Sequence, residues 1–268
     1  MSPQPVAQTE TREEAVARMT PPPEMNFVGA GDFIGIGNTF LKQFKKLGGL
    51  KPHHHVLDVG SGIGRMAIPL TSFLDAQGSY DGFDIREDGV MWCQEKITPR
   101  YPNFKFKLAT LGNSHYLPEA TGEAGKFHFP YPSRTFDLVV LTSVFTHVDA
   151  EVVCNYLEEI NRVLKRGGRM FATFFLFAHG APERPDRPAA QVHFPHQFGH
   201  YRLMSLENPA HAIAFDEAWV TAQCERRGLQ VRWPIHHGFQ DVLVAEKKRQ
   251  LPLKMRWRRF RHRLTNRR

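Results

Sequence analysis

The chain predicts an α/β fold, a doubly wound, mostly parallel seven-stranded sheet that ends in an antiparallel hairpin. Three observations carry this. Between His55 and Phe177 short apolar runs alternate with stretches of helical periodicity, the order that builds a parallel sheet covered on both faces. A glycine turn, "GSGIG", follows the first of those runs at once. Near the end, "LQVRWPI" and "FQDVLVAEK" are separated only by "HHG", too little chain for the crossover a parallel pair requires, so they pair antiparallel.

Each element can be justified in turn. Residues 1–25 are rich in Pro, Thr, Glu and Ala without periodic apolar positions, and are expected to be largely disordered. From Phe27 to Leu50, Phe33, Ile36, Phe40, Leu41, Phe44 and Leu47 fall at helical spacing, and Gly48 and Gly49 close the helix. "HVLDVG" is a buried strand and "GRMAIPLTSFL" the helix after it, bent or interrupted by Pro69. "YDGFDI", "EDGVMWCQEKI" and "FKFKLA" continue as strand, helix, strand. "FDLVVLTS" is the fourth strand. Asp149 then caps a helix with Val152, Val153, Tyr156, Leu157, Ile160, Val163 and Leu164 on one face, ending in "LKRGG". "RMFATFFLF" is the fifth strand, apolar on both faces as a central strand should be. A Pro/His-rich connection leads to the helix "DEAWVTAQCERRG" and the terminal hairpin. One domain over residues 26–247 follows, with insertions at about 111–133 and 178–215 placed to cover a substrate, and a tail over 248–268.

The 268 residues carry a net charge of +8. One Lys and seven Arg, with no acid, lie in the last 18 residues, so everything before Leu251 sums to zero. The basicity belongs to the tail and says little about the ligand of the main domain. No apolar run is long enough to cross a bilayer and the start lacks a signal-peptide core, so a cytoplasmic location is expected. The three cysteines, Cys93, Cys154 and Cys224, show no metal-like spacing and read as reduced helix residues.

The turn "HVLDVGSGIGRM" puts glycine at 60, 62 and 64 and Arg65 where a dinucleotide fingerprint would need its third glycine. Asp58 stands two residues before the first glycine. A carboxylate there disfavours a pyrophosphate and favours a ligand bearing an ammonium and a sulfonium. Asp84 ends the second strand, where its two oxygens can accept both hydroxyls of a ribose.

Together "VLDVGSGIGR", "GFDI", "FHFPYPSRTFDLVVLTSVFTHV" and "INRVLKRGGRMFATFF" resemble, in order and spacing, the class I S-adenosylmethionine-dependent methyltransferases, and look most similar to bacterial stand-alone members. The resemblance spans roughly Leu50 to Phe177 and implies the Rossmann-like fold of that family with S-adenosyl-L-methionine as cofactor. By position it implies that Gly60, Ser61, Gly62 and Gly64 form the turn around the aminocarboxypropyl part, with Asp58 near the ammonium. It also implies that Asp84 binds the ribose, Ile85 packs on the adenine and Thr142 lies beside the methionine moiety. Many members hold the adenine amino group with an acid after the third strand; here Thr110 or Asn113 would substitute, or a backbone carbonyl would serve.

Methyl transfer is an in-line displacement, so alignment and exclusion of water are the protein's main tasks. A hydroxyl acceptor also needs a base, and His147, in the turn after the fourth strand, is the leading candidate; its alternative is a structural role in orienting the loop. His53 to His55 cannot all face one ion from an extended chain, and no metal is expected there. His193, His196 and His200 lie in the connection after the fifth strand. His200, Tyr201 and Arg202 are candidate substrate contacts, with a solvated loop as the alternative.

In the tail, Leu253, Trp257, Phe260 and Leu264 recur at spacings of four, three and four, which would segregate them from the arginines on a helix. The segment suits peripheral attachment to an anionic membrane surface; nucleic acid and simple solubility are the competing readings. The expected activity is methyl transfer to an oxygen of a small-molecule, sugar or lipid-linked acceptor. A nucleic-acid methyltransferase is the alternative, although "TSVF" stands where an amino-base enzyme would carry an N-P-P-Y-like tetrapeptide. A non-catalytic S-adenosylmethionine-binding protein is another. A nicotinamide oxidoreductase is opposed by Arg65 and the terminal hairpin. Oligomeric state is left open.

Overall fold

A computed structural model describes residues 10–27, 29, 31–110, 124–178 and 192–248. The basic tail from 249 on, Asn113 and parts of the two insertions, 111–123 and 179–191, lie outside these residues.

Helix α1 (Arg12–Met19) opens the chain, its first turn closed by a reciprocal pair in which Thr11 and Glu14 each cap the other's backbone. The expectation of disorder over 1–25 is thus corrected for residues 10–25. Ala15 and Met19 are buried, and the Trp92 indole donates to Met19 O at 3.0 Å, so tertiary docking supplies what local pattern lacks. Helix α2 (Phe33–Lys46) starts at Asp32, whose carboxylate accepts from Gly35 N at 2.9 Å.

The alternating region follows as β1 (His55–Val59), α3 (Ala67–Leu70), β2 (Ser79–Asp84), α4 (Glu87–Lys96), β3 (Phe104–Leu108), β4 (Phe136–Leu141), α5 (Ala150–Val163) and β5 (Leu164–Phe177). Pro69 leaves α3 only one turn long. Helix α5 stops at Val163, before the "LKRGG" segment. Leu164 is already extended and pairs with Phe136, and the ladder shifts register before Arg169. Lys165 Nζ sits 2.7 Å from Asp137 Oδ2 there, so the segment is a bulged strand entry and not the last helical turn.

The chain ends with β6 (His196–Phe198), β7 (Tyr201–Leu203), β8 (Ile213–Asp216), α6 (Glu217–Arg226), β9 (Leu229–His236) and β10 (Asp241–Lys247). Strands β3, β2, β1, β4 and β5 are mutually parallel in that order, and β9 and β10 form the antiparallel hairpin on β5. These are the seven strands the sequence predicts. Three short ones, β6 to β8, were expected to be connection. They form because β5 is 14 residues long: β10 pairs its stretch Arg169–Phe174, leaving Phe175–Phe177 open for β8.

Two apolar layers cover the sheet. On one face Leu57, Val139, Met170 and Leu243 pack with α5 and α6; on the other Val56, Leu138, Phe171 and Val244 pack with α1 to α4. Cys93, Cys154 and Cys224 are free thiols. Among the described residues no helix is long and apolar enough to cross a membrane.

Candidate active site

A cavity of about 830 Å³ opens at the carboxyl ends of β1, β2 and β4, the edge at which doubly wound sheets bind ligands. Its geometry starts with the glycine turn. Gly60 has φ +76°, and a Cβ there would stand 2.5 Å from Val144 Cγ2, so only glycine lets the β1 and β4 loops approach this closely. Gly60 N and Ser61 N donate to Phe83 O at 2.9 and 3.0 Å, and Gly62 N donates to Asp84 Oδ2 at 2.7 Å. The turn is therefore held in shape by the end of β2. Arg86 N donates to Asp84 Oδ1 at 2.9 Å, while burial raises the Asp84 pKa above the usual carboxylate range against these hydrogen bonds.

Seven of the expected residues, Gly60, Ser61, Gly62, Asp84, Ile85, Thr142 and His147, line this one cavity. Thr142 ends the β4 run, and Ser143 follows at φ 60°, a left-handed conformation rare outside glycine; its N–H donates to Thr173 Oγ1 at 2.8 Å. His147 Nδ1 lies 3.0 Å from Ala210 O, which fixes the ring and favours the tautomer protonated at Nδ1.

Other candidates stand elsewhere. Asp58 does not line the cavity: it shares with Val56 the face covered by α3 and α4, is fully buried, and accepts from the Tyr80 hydroxyl at 2.5 Å. Burial pushes its pKa up to about 7, opposed by the Tyr80 hydrogen bond and aided by the Asp84 charge. Arg65, which does line the cavity, is the cation coupled to it, so Asp58 stands behind the turn, within the field of the cavity but outside its lining. Gly64 is also behind the turn, where a Cβ would meet Cys93 Sγ and Ile97 Cδ1 at 2.9 Å; it serves the packing of α4. Thr110 is exposed beyond the outermost parallel strand and away from the cavity. His200, Tyr201 and Arg202 sit on the added antiparallel strands and do not line the cavity either. His200 stacks on Trp219 at 4.3 Å and Arg202 lies over the Phe177 ring at 4.1 Å, so packing claims them. Among the described residues, no group of three or more His, Cys, Asp or Glu could hold a metal ion.

Sequence reading missed several lining residues. Phe27 carries the Arg86 guanidinium on its ring at 4.4 Å; Gln43 comes from α2, Arg65 from the turn, Thr173 from β5 and Gln240 from the loop before β10. The Ser143 hydroxyl lies 3.0 and 3.1 Å from the amide nitrogen and oxygen of Gln240, tying that loop to β4. No local motif marks these positions, since each is defined only by its neighbours across the sheet.

Residues 56–168 match the family model described as a methyltransferase domain. The ubiquinone/menaquinone biosynthesis C-methyltransferase of Teredinibacter turnerae is 26% identical over 151 residues, covering 56% of this chain and 53% of that protein. The chain thus spans about half the length of that curated relative. A protein from Pyrococcus horikoshii OT3 has a similar structure, with a TM-score of 0.58 at 17% identity over 84% of this chain and 96% of that one. The 1,6-didemethyltoxoflavin-N1-methyltransferase of Burkholderia thailandensis, solved with 1,6-didemethyltoxoflavin and S-adenosylhomocysteine, gives 0.54 at 14% identity over 89% and 87% of the two chains. At such identities the likeness to the solved structures is one of fold.

Fold, glycine turn and matched span define a methyltransferase domain. Over residues 56–168 the chain is thus similar to the class I S-adenosylmethionine-dependent methyltransferases, and S-adenosylmethionine is the cofactor such a domain implies. The residues present fit this group. The turn offers Gly60 to Gly62 to the cavity without side chains at its glycines, and each Asp84 oxygen retains an acceptor position beside its backbone bond.

Proposed function

We propose that the chain transfers a methyl group in line to an oxygen of a small-molecule acceptor, with His147 as the general base. S-adenosylmethionine, when bound, supplies an electrophilic methyl on a sulfonium sulfur. Asp84 accepts the ribose hydroxyls, Ile85 packs against the adenine, and Gly60 to Gly62 hold the methionine end through their backbone. His147 takes the acceptor proton at Nε2, the basic nitrogen when Nδ1–H is donated to Ala210 O. Apolar walls exclude water, and the tie between Ser143 and Gln240 keeps the hairpin loop over the site.

The observation that carries this reading is that His147 lines the same cavity as the glycine turn and Asp84. A radiolabelled methyl-donor assay against fractionated cell extract finds the acceptor. His147→Ala then lowers turnover by about 10²- to 10⁴-fold while leaving S-adenosylhomocysteine affinity as it was. Unchanged turnover in the folded variant removes the base role.

A further inference from the structure

The edge of the sheet away from the cavity, where the parallel strands begin, carries charge that the fold leaves unbalanced. Strands β4 and β5 start there, β10 ends there because it runs antiparallel to β5, and α5 and α6 end beside them. Arg134, in the turn before β4, and Arg166, in the bulged entry to β5, are exposed. Lys247, the last residue of β10, reaches the carboxyl end of α5, where its ammonium donates to Asn161 O and, at 2.9 Å, to Leu164 O. Burial, and then the charges of Arg134 and Arg166, hold this ammonium below the usual lysine range, so both guanidinium charges act on it. Asp137, Glu158 and Glu246 are committed to other cations, Lys165, Arg227 and the Arg169 and Arg232 pair. Glu225 and Arg226, adjacent and exposed at the end of α6, offset each other. Among the described residues no carboxylate pairs with Arg134, Arg166 or Lys247.

The chain continues from this same edge into the basic tail. Lys248 N donates to Gly228 O at 3.2 Å, and residues 249–268 follow with no acid among them. The patch and the start of the tail therefore adjoin, and a surface that holds one meets the other at high effective concentration. Both attract phosphates, and the apolar residues of the tail decide between the sources. An anionic bilayer takes Leu253, Trp257, Phe260 and Leu264 into its headgroup boundary, whereas a nucleic acid leaves them in water. The cavity opens at the opposite edge, about 17 Å away along the five residues of β1. A chain held by the amino edge thus turns its cavity toward the solution.

We propose that the amino edge of the sheet docks on an anionic phospholipid surface beside the tail, with Arg134 and Arg166 as its contacts, and holds the cavity mouth away from the bilayer. The test is sedimentation of the full chain at low salt with vesicles of phosphatidylcholine alone and of phosphatidylserine and phosphatidylcholine in equal parts. The wild type binds the mixed vesicles only. Arg134→Gln and Arg166→Gln each weaken that binding roughly 5-fold, the worth of one basic residue near such a surface, and the double variant loses the product of the two. Lys42→Gln combined with Lys105→Gln removes the same charge from α2 and β3 and leaves binding as it was, while thermal unfolding shows that every variant is folded. Hydrogen exchange in the bound chain slows at residues 133–135 and 165–168 but not at 236–240. Absence of binding by the wild type overturns the proposal, as does undiminished binding by the Arg134 and Arg166 double variant or an equal loss in the Lys42 and Lys105 pair. Protection of residues 236–240 overturns the orientation, and tighter binding of a DNA duplex than of mixed vesicles at the same salt overturns the choice of lipid.

Discussion

Asp58 is fully buried with one oxygen on Tyr80 and the other without a hydrogen-bond partner among the described residues, and replacing it with Asn should change how stability depends on pH. Its folded-state pKa is about 7 against an ordinary 3.8. At roughly 1.4 kcal/mol per tenfold change in acidity, keeping the ionised form buried costs about 4 kcal/mol. Because the folded value lies above the unfolded one, the favourable contribution is fully present below pH 3.8 and is lost as the pH climbs through about 7. Of the total, somewhat more than half, about 2–3 kcal/mol, falls between pH 5 and pH 8. Asn at 58 keeps the shape and an oxygen for the Tyr80 hydroxyl but cannot ionise. Urea unfolding of wild type and Asp58→Asn at pH 5, 6, 7 and 8 measures the effect, and comparing the two chains cancels titration at groups uncoupled from Asp58, such as Asp81. The variant should gain about 2–3 kcal/mol on the wild type across that range, roughly 1 M in midpoint for a slope of about 2 kcal/mol/M. A difference that stays constant from pH 5 to pH 8 would refute the placement of Asp58 in a closed, uncompensated pocket behind the turn.

Asp84→Ala should weaken S-adenosylhomocysteine binding by roughly 10- to 100-fold, the worth of hydrogen bonds to a charged group, as read by calorimetry; unaltered affinity would remove Asp84 from the site. Gly60→Ala meets both the positive φ and Val144, so chemical denaturation should show a loss of about 1–3 kcal/mol. Most of the steric part should return in the double variant with Val144→Ala. For the basic tail, which lies outside the described residues, we propose attachment to anionic surfaces. A chain ending at Lys248 should then lose sedimentation with phosphatidylserine vesicles that the full chain shows at low salt, and equal sedimentation of both would end that proposal.

Much of the site was legible because strand ends are local features. Gly60, Gly62, Asp84, Thr142 and His147 each follow or end a short apolar run, and a doubly wound sheet sends the ends of such runs to one edge. Asp58 shows the limit of that reasoning. Alternation places it on the face opposite Leu57, but which face opens to the ligand depends on how α3 and α4 cover the sheet. His200 to Arg202 looked like a covering loop because strands of three residues carry no periodic signal; Tyr201 and Arg202 pair with β8, which in turn pairs with the carboxyl end of β5.

Hydrophobic periodicity and the glycine turn, both properties of neighbouring residues, determined the alternating fold, its terminal hairpin and the cofactor edge. The docking of α1, the course of β6 to β8 and the joining of Gln43, Thr173 and Val242 in the lining of one cavity were decided only in three dimensions. Those features join residues up to about 200 positions apart, and their energies come from surfaces that no stretch of chain possesses until the sheet has formed.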